Sequence, residues 1–279
     1  MNVDAFGRGE KAGLPGVPPG HAACGAGRPL EMSDGEYRLV LQKMFHTFAF
    51  DIREFVVEYL GASEESFILC LPGLTYFQTK IYEMDLLTER ALRAGREVPC
   101  GRLRALGTEL AQELRANGVA FDGVEAALLN TVEYLVNEGT FQAKVGERVT
   151  EEEIFRQLDF KTSDLEALLR LGAGITKVVP TPEEFAIFRA VVRVREVFDD
   201  IRDVSEDKEN HGFNTVLYLD LVSGKDESRR KIEQFLSQEY AAIEVLIGKE
   251  PPATRERFKP FEERWKREKD HYVAYLHLT

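Results

Sequence analysis

From Ser33 onward, apolar residues recur every three to four positions, and strictly alternating β-branched runs are missing. That period predicts helices over about 35–60, 64–94, 101–117, 121–145, 151–172, 182–209, 226–247 and 259–277. Helix ends carry matching chemistry. Thr150 with Glu153 and Thr181 with Glu184 read as capping-box pairs, and Pro182 stands at a first helical position. Gly61, Gly95, Gly118, Gly172 and Gly212 fall where helices should stop. No internal repeat or long linker divides 35–279, so the expected fold is all-α, a single large antiparallel helix bundle.

The first 34 residues are rich in Gly and Pro, lack a continuous apolar stretch of signal-peptide type, and read as a disordered tail. With 279 residues and 44% hydrophobic content, the chain can bury a substantial core. A net charge of −12 without a segregated basic patch excludes general nucleic-acid binding, because the phosphate backbone would be repelled. No run of about 18 apolar residues exists, so no membrane span is expected. Cys24, Cys70 and Cys100 are scattered and odd in number, which suits free thiols in a reducing cytoplasm.

One stretch asks for an explanation: FDDIRDVSEDKENHGFN, from Phe198 to Asn214. On a helix, Asp199, Asp200, Asp203 and Asp207 fall within an arc of roughly 100°, with Val194, Phe198, Ile201 and Val204 opposite. An acidic helix face is ordinarily just a solvated one. Here the density is high, like charges at i,i+4 repel, and Arg202 is the one basic residue among them. Mg²⁺, which takes one or two carboxylates and completes its shell with water and phosphate, would offset that repulsion. Two other metal sites fail on spacing. An EF-hand loop starting at Asp203 would need Gly at Lys208 and Glu at Asn214, and a di-iron bundle needs two Glu-x-x-His pairs where only Glu268–His271 fits.

LDFKTSDLEALLRLGAGIT, followed some forty residues later by VFDDIRDVSED, resembles the second half of the trans-isoprenyl diphosphate synthases. DVSED echoes the head-to-head phytoene and squalene synthases, and HGFNTVLYL with Asn214 is similar to the segment after the second metal motif of class I terpene synthases. The first half resembles the family in outline. REFVVEYLGASEES matches its arginine helix with Arg53, TYFQTKIYEMDLLTERALRAGREVP its first aspartate helix, and NEGTFQAKVGE its Gly-Gln segment with Gln142. The chain departs from the pattern before Arg53, where Gly-Gly-Lys is absent, and at Met84, Ala94 and Val145.

The resemblance implies the isoprenoid synthase fold with a central apolar cavity, which Phe48, Phe50, Phe67, Tyr76, Phe77 and Tyr134 would line. It implies Mg²⁺ as cofactor, held by Asp199, Asp200, Asp203 and Asp207 on one side and by Asp85 and Glu89, the remnant of the first motif, on the other. Asp199, Asp203 and Lys161 would be the catalytic residues. Lys161, Thr162, Gln142, Arg53, Arg93 and Arg96 would bind substrate diphosphate. Plainer readings stand beside these: Glu89 and Arg93 have the spacing of a surface salt bridge, Lys161 that of a solvated lysine, and Arg264, Lys266, Arg267 and Tyr272 could cover a diphosphate or simply face water.

Because the acceptor-binding residues are eroded, the expected activity is ionisation of an allylic prenyl diphosphate, the cation being cyclised or passed to an unusual acceptor. Elongation with isopentenyl diphosphate is the alternative. A non-catalytic regulatory subunit of such a synthase, in a homodimer or a heteromer with a related synthase, is a third reading.

Overall fold

The hydroxyl of Ser33 accepts the Glu36 N–H, and the Glu36 carboxylate returns a 2.7 Å bond from the Ser33 N–H, so helix α1 (Asp34–His46) starts at a complete capping box. The computed structural model describes residues 33–119, 121–144, 149–210 and 212–276. Apart from Ser33 and Asp34, the expected N-terminal tail lies outside them, as does Cys24.

The segment expected as one helix over 35–60 is of two kinds. After α1 the backbone turns into two π-helical segments, Thr47–Ile52 and Glu54–Tyr59, joined at Arg53. The wider i→i+5 turn changes which side chains point inward, and Ile52, Phe55, Val56 and Tyr59 are all buried. Then follow α2 (Glu64–Arg93), α3 (Cys100–Ala116), α4 (Val124–Ala143), α5 (Glu151–Lys161), α6 (Ser163–Thr176), α7 (Pro182–Arg202), α8 (Val204–Asn210), α9 (Thr215–Ser223), α10 (Lys225–Lys249) and α11 (Pro252–Leu276). Every regular element among the described residues is helical.

Both expected capping boxes are present, at α5 and α7, with Pro182 opening the latter. Gly61, Gly95 and Gly118 end their helices with positive φ. Gly172 does not. Helix α6 runs through it to Thr176 and is stopped by Lys177 in the left-handed region at φ 61°. Gly172 instead faces Ile52 and Val56, each 3.6 Å from where a Cβ would sit. The expected helix 151–172 is further divided at Thr162, and the expected 182–209 breaks at Asp203 (φ −98°, ψ 10°). Helix α9 was not expected. It is apolar nearly all round and packs among α5, α7 and α10, so it shows no amphipathic period.

Residues 32–279 form one unit. Within it α6 packs against α2 and α4, α3 against α4, and α7 against α10. Phe48, Phe67 and Phe77 lie in the core, and Tyr134 packs at its edge. Tyr76 departs from its expected place on a cavity wall: it is 44% exposed, and its hydroxyl bonds Glu113 of α3. The side chain of Phe50 lies outside the described residues. No described helix is long and apolar enough to cross a membrane, and Cys70 and Cys100 are free thiols.

Candidate active site around Lys161

Lys161 closes α5, where the chain kinks through Thr162 into α6. Its side chain is 21% exposed, and its Nζ lies 2.6 Å from Asp200 Oδ1 and 3.1 Å from Glu196 Oε2, both on α7. Asp200 is fully buried, and its other oxygen accepts the Thr215 N–H at 2.8 Å. This corrects the expected picture, in which Asp200 shared an exposed acidic face. The α7 helix buries Asp200 because the next residues fold back over it. Both of its oxygens are engaged within the protein.

Asn214 makes that return. Its Oδ1 accepts the Val216 and Leu217 N–H groups and caps α9, while its Nδ2 donates to the Asp200 carbonyl at 2.7 Å and to Asp207 Oδ2 at 2.8 Å. On α4, Glu138 accepts the Phe213 N–H at 2.9 Å. The segment from Gly212 to Thr215 is thus tied to α4, α7 and α8 by side chains of opposite hydrogen-bonding sense.

Around this ammonium stand carboxylates from several helices. The charge of Lys161 acts on Asp85 of α2, Glu138 of α4, Asp164 of α6, Glu196, Asp199 and Asp200 of α7, and Asp207 of α8. Burial pulls the Lys161 ammonium down, but Asp200 and Glu196 outweigh it and hold its pKa well above the ordinary lysine value. The acids shift the other way. Burial, reinforced by the Asp85 charge, pushes Glu138 up to about 8. Burial pushes Asp164 up to about 6, against hydrogen bonds from Gln78 and the Leu165 N–H. Asp85 is raised by burial and by neighbouring Glu89, and Glu196 by burial despite Lys161. Asp199 and Asp207 are raised by burial, opposed by Arg202 and Asn214 respectively. Burial is the leading cause of every one of these shifts, so these carboxyls keep their protons to higher pH than free ones, and the negative charge of the site grows as pH rises.

These raised carboxyls set a pH dependence of stability. A carboxyl raised on folding stabilises the native state fully below its unfolded pKa and loses that contribution as pH rises through its folded pKa. For Asp164 and Glu138 the loss falls between about pH 4 and 8. Capping Glu36, lowered to about 2 by the Ser33 N–H and Arg90, acts oppositely: its contribution is full above its unfolded pKa and lost as pH falls toward 2. In metal-free buffer the melting temperature should therefore be higher near pH 5.5 than at pH 8.5. A flat profile over that range would contradict this electrostatic picture.

The remaining expected residues are distributed as follows. Asp199 and Asp203 are about half and one-third exposed, and Arg202 bridges them at 2.9 Å to each. Glu89 pairs with Arg93 at 3.0 Å, the plain salt bridge its spacing allowed. Arg53 pairs with Glu58 at 2.8 Å and with Glu64, neither of which belongs to the group around Lys161. The Thr162 hydroxyl donates to the Asp159 carbonyl at 3.0 Å, and Arg96 lies exposed on the turn after α2. The Gln142 side chain lies outside the described residues.

Three members of the group, Glu138, Asp164 and Glu196, are not among the expected site residues, although Glu138 and Asp164 lie within segments that carry the resemblance. Glu196 had a local signal, sitting three residues before Asp199 on α7, and Asp164 stands three residues after Lys161, across the kink at Thr162. Glu138 lies in the quoted NEGTFQAKVGE segment, but its spacing to the other acids gave no sign of its place, which the return of the chain at Phe213 sets. Comparison of the chain with protein-family models, with curated proteins and with solved structures finds no match.

Proposed function

We propose that the protein ionises an allylic prenyl diphosphate with Mg²⁺, releasing pyrophosphate, and that the cation is cyclised or transferred to an unusual acceptor. The observation that carries this reading is the convergence on Lys161: its Nζ lies 2.6 Å from Asp200 and 3.1 Å from Glu196, Asn214 ties the Asp200 carbonyl to Asp207, and Asp85 from the first half of the chain lies within electrostatic reach of the same ammonium.

Among the described residues no three acidic, His or Cys groups form a ready-made metal cage. Mg²⁺ does not need one, since one or two carboxylates suffice when substrate phosphate and water complete the shell. The donor set is all carboxylate oxygen, which suits that ion. Asp199, Asp203 and Asp207 would hold it on one side and Asp85 and Glu89 on the other. When bound, Mg²⁺ neutralises the charge of the departing diphosphate.

The chain's own residues supply the rest. Lys161, fixed by Asp200 and Glu196, offers its ammonium to a non-bridging diphosphate oxygen as the allylic C–O bond breaks and its electron pair leaves with oxygen. Asp200 is a positioning residue in this scheme: it orients Lys161 and anchors Thr215. The ionised aspartates near Lys161 would repel a bare diphosphate, a repulsion that a bound divalent ion would offset. Next to them Tyr134, Phe141, Phe213 and Tyr218 form an aromatic group with ring centroids 5.2–6.3 Å apart. Those ring faces could steady a carbocation and keep water from it.

Elongation has less support, because Arg53 and Arg93, expected to hold diphosphate, are engaged by glutamates. The experiment is incubation with Mg²⁺ and geranyl, farnesyl or geranylgeranyl diphosphate, each with and without isopentenyl diphosphate. Hydrocarbon or alcohol without acceptor is the expected result. Longer diphosphates formed only with acceptor would favour elongation. Silence in every mixture until a related synthase is added would favour the regulatory subunit.

A further inference from the structure

We propose that Arg202 is a built-in, displaceable counter-ion that occupies the metal-binding carboxylates until Mg²⁺ replaces it. This rests on the reading above that Asp199 and Asp203 hold the metal. Arg202 is the last residue of α7, and Asp203 is its C-cap. Its guanidinium spans both acids: Nη1 lies 2.9 Å from Asp199, and Nε and Nη2 each lie 2.9 Å from one oxygen of Asp203. The fork geometry of arginine suits this bridge, and the carbonyl dipoles at the end of α7 favour a cation there.

The two cations of the site differ in kind. Lys161 is 21% exposed and bound to an aspartate with no exposure, so removing it leaves a charge stranded in the interior. Arg202 is 55% exposed and pairs with acids that water also reaches. Exposed pairs of that type contribute little each, so a divalent ion can displace the guanidinium at modest cost. Arg202 has somewhere to go. Within its electrostatic reach stands Tyr272 of α11, whose ring stacks on Phe198 with centroids 4.2 Å apart and planes at 9°. Phe198 is itself in the core, so Tyr272 is a fixed post beside the acids. In the metal-free protein Arg202 quenches the repulsion between Asp199 and Asp203. On loading it would withdraw toward Tyr272 and leave both carboxylates to the ion.

Substrate-free Mn²⁺ binding, followed by the loss of the free-ion electron paramagnetic resonance signal, tests this without reference to turnover. Arg202→Gln should bind Mn²⁺ roughly three- to tenfold more tightly than the wild type, with the gap narrowing in high salt. Arg202→Lys, which keeps the charge but not the bridging fork, should fall between them, and it serves if the Gln variant is poorly folded by circular dichroism. Unchanged or weaker binding in both variants, with Asp199→Ala still abolishing it, would overturn the counter-ion role and leave the metal site standing. Wild-type binding that Asp199→Ala does not weaken would remove the metal assignment, and the role of Arg202 with it.

Discussion

Lys161→Met is expected to lower stability by about 3 kcal/mol at pH 8, a drop of roughly 6–12 °C in melting temperature for a domain of this size, and to abolish turnover. The stability loss follows from Asp200, whose carboxylate has no solvent exposure and would keep only the Thr215 N–H as partner. Glu196, Asp164 and Glu138 would lose the same compensating charge. The sign with pH is fixed. Without the ammonium these carboxyls rise further above their unfolded values, so their contribution is retained in acid and lost as pH rises. The variant should therefore be closer to wild type at pH 5 than at pH 8, measured by urea midpoints at both. An equal penalty at the two pH values would mean that Lys161 acts through packing and not through charge.

Asp199→Ala separates chemistry from folding. Its carboxylate is about half exposed, and its ion pair is with the exposed Arg202, so the loss in stability should stay within about 0.5 kcal/mol. Turnover should nevertheless fall on the order of 10²–10³-fold or more, since a ligand to the charge-neutralising ion acts mainly in the transition state. Steady-state kinetics beside a thermal melt checks both halves. Retained activity would remove Asp199 from the metal assignment. The two variants thus predict opposite balances: Lys161 affects fold and reaction together, Asp199 the reaction alone.

Local chemistry was legible in the sequence where it was self-contained. The capping boxes at Thr150 and Thr181 need only side chains three residues apart, and the structure has both. Gly172 misled because a glycine at a helix end and a glycine facing a neighbouring segment look alike in one dimension. The π-helical segments from Thr47 to Tyr59 were hidden because an apolar period does not distinguish i→i+4 from i→i+5 bonding over a few residues. Helix α9 was hidden by being buried on most sides.

The candidate site divides the same way. Asp199, Asp200 and Asp203 sit on adjoining turns with readable spacing, and the packing of α5 on α7 sets Lys161 against Asp200. The burial of Asp200 was not readable, since it depends on Asn214 and Thr215 folding back across α7. Glu138 joins through a backbone bond 75 residues away in sequence. Such a partner leaves no local pattern.

The most direct test of the central claim is pyrophosphate release from geranyl, farnesyl and geranylgeranyl diphosphate, without added acceptor, in Mg²⁺ and in EDTA. Ionisation at the Lys161 site predicts release from at least one of the three in Mg²⁺, its disappearance in EDTA, and its loss in Asp199→Ala. No Mg²⁺-dependent release from any of them, or release that survives the Asp199 substitution, would contradict it.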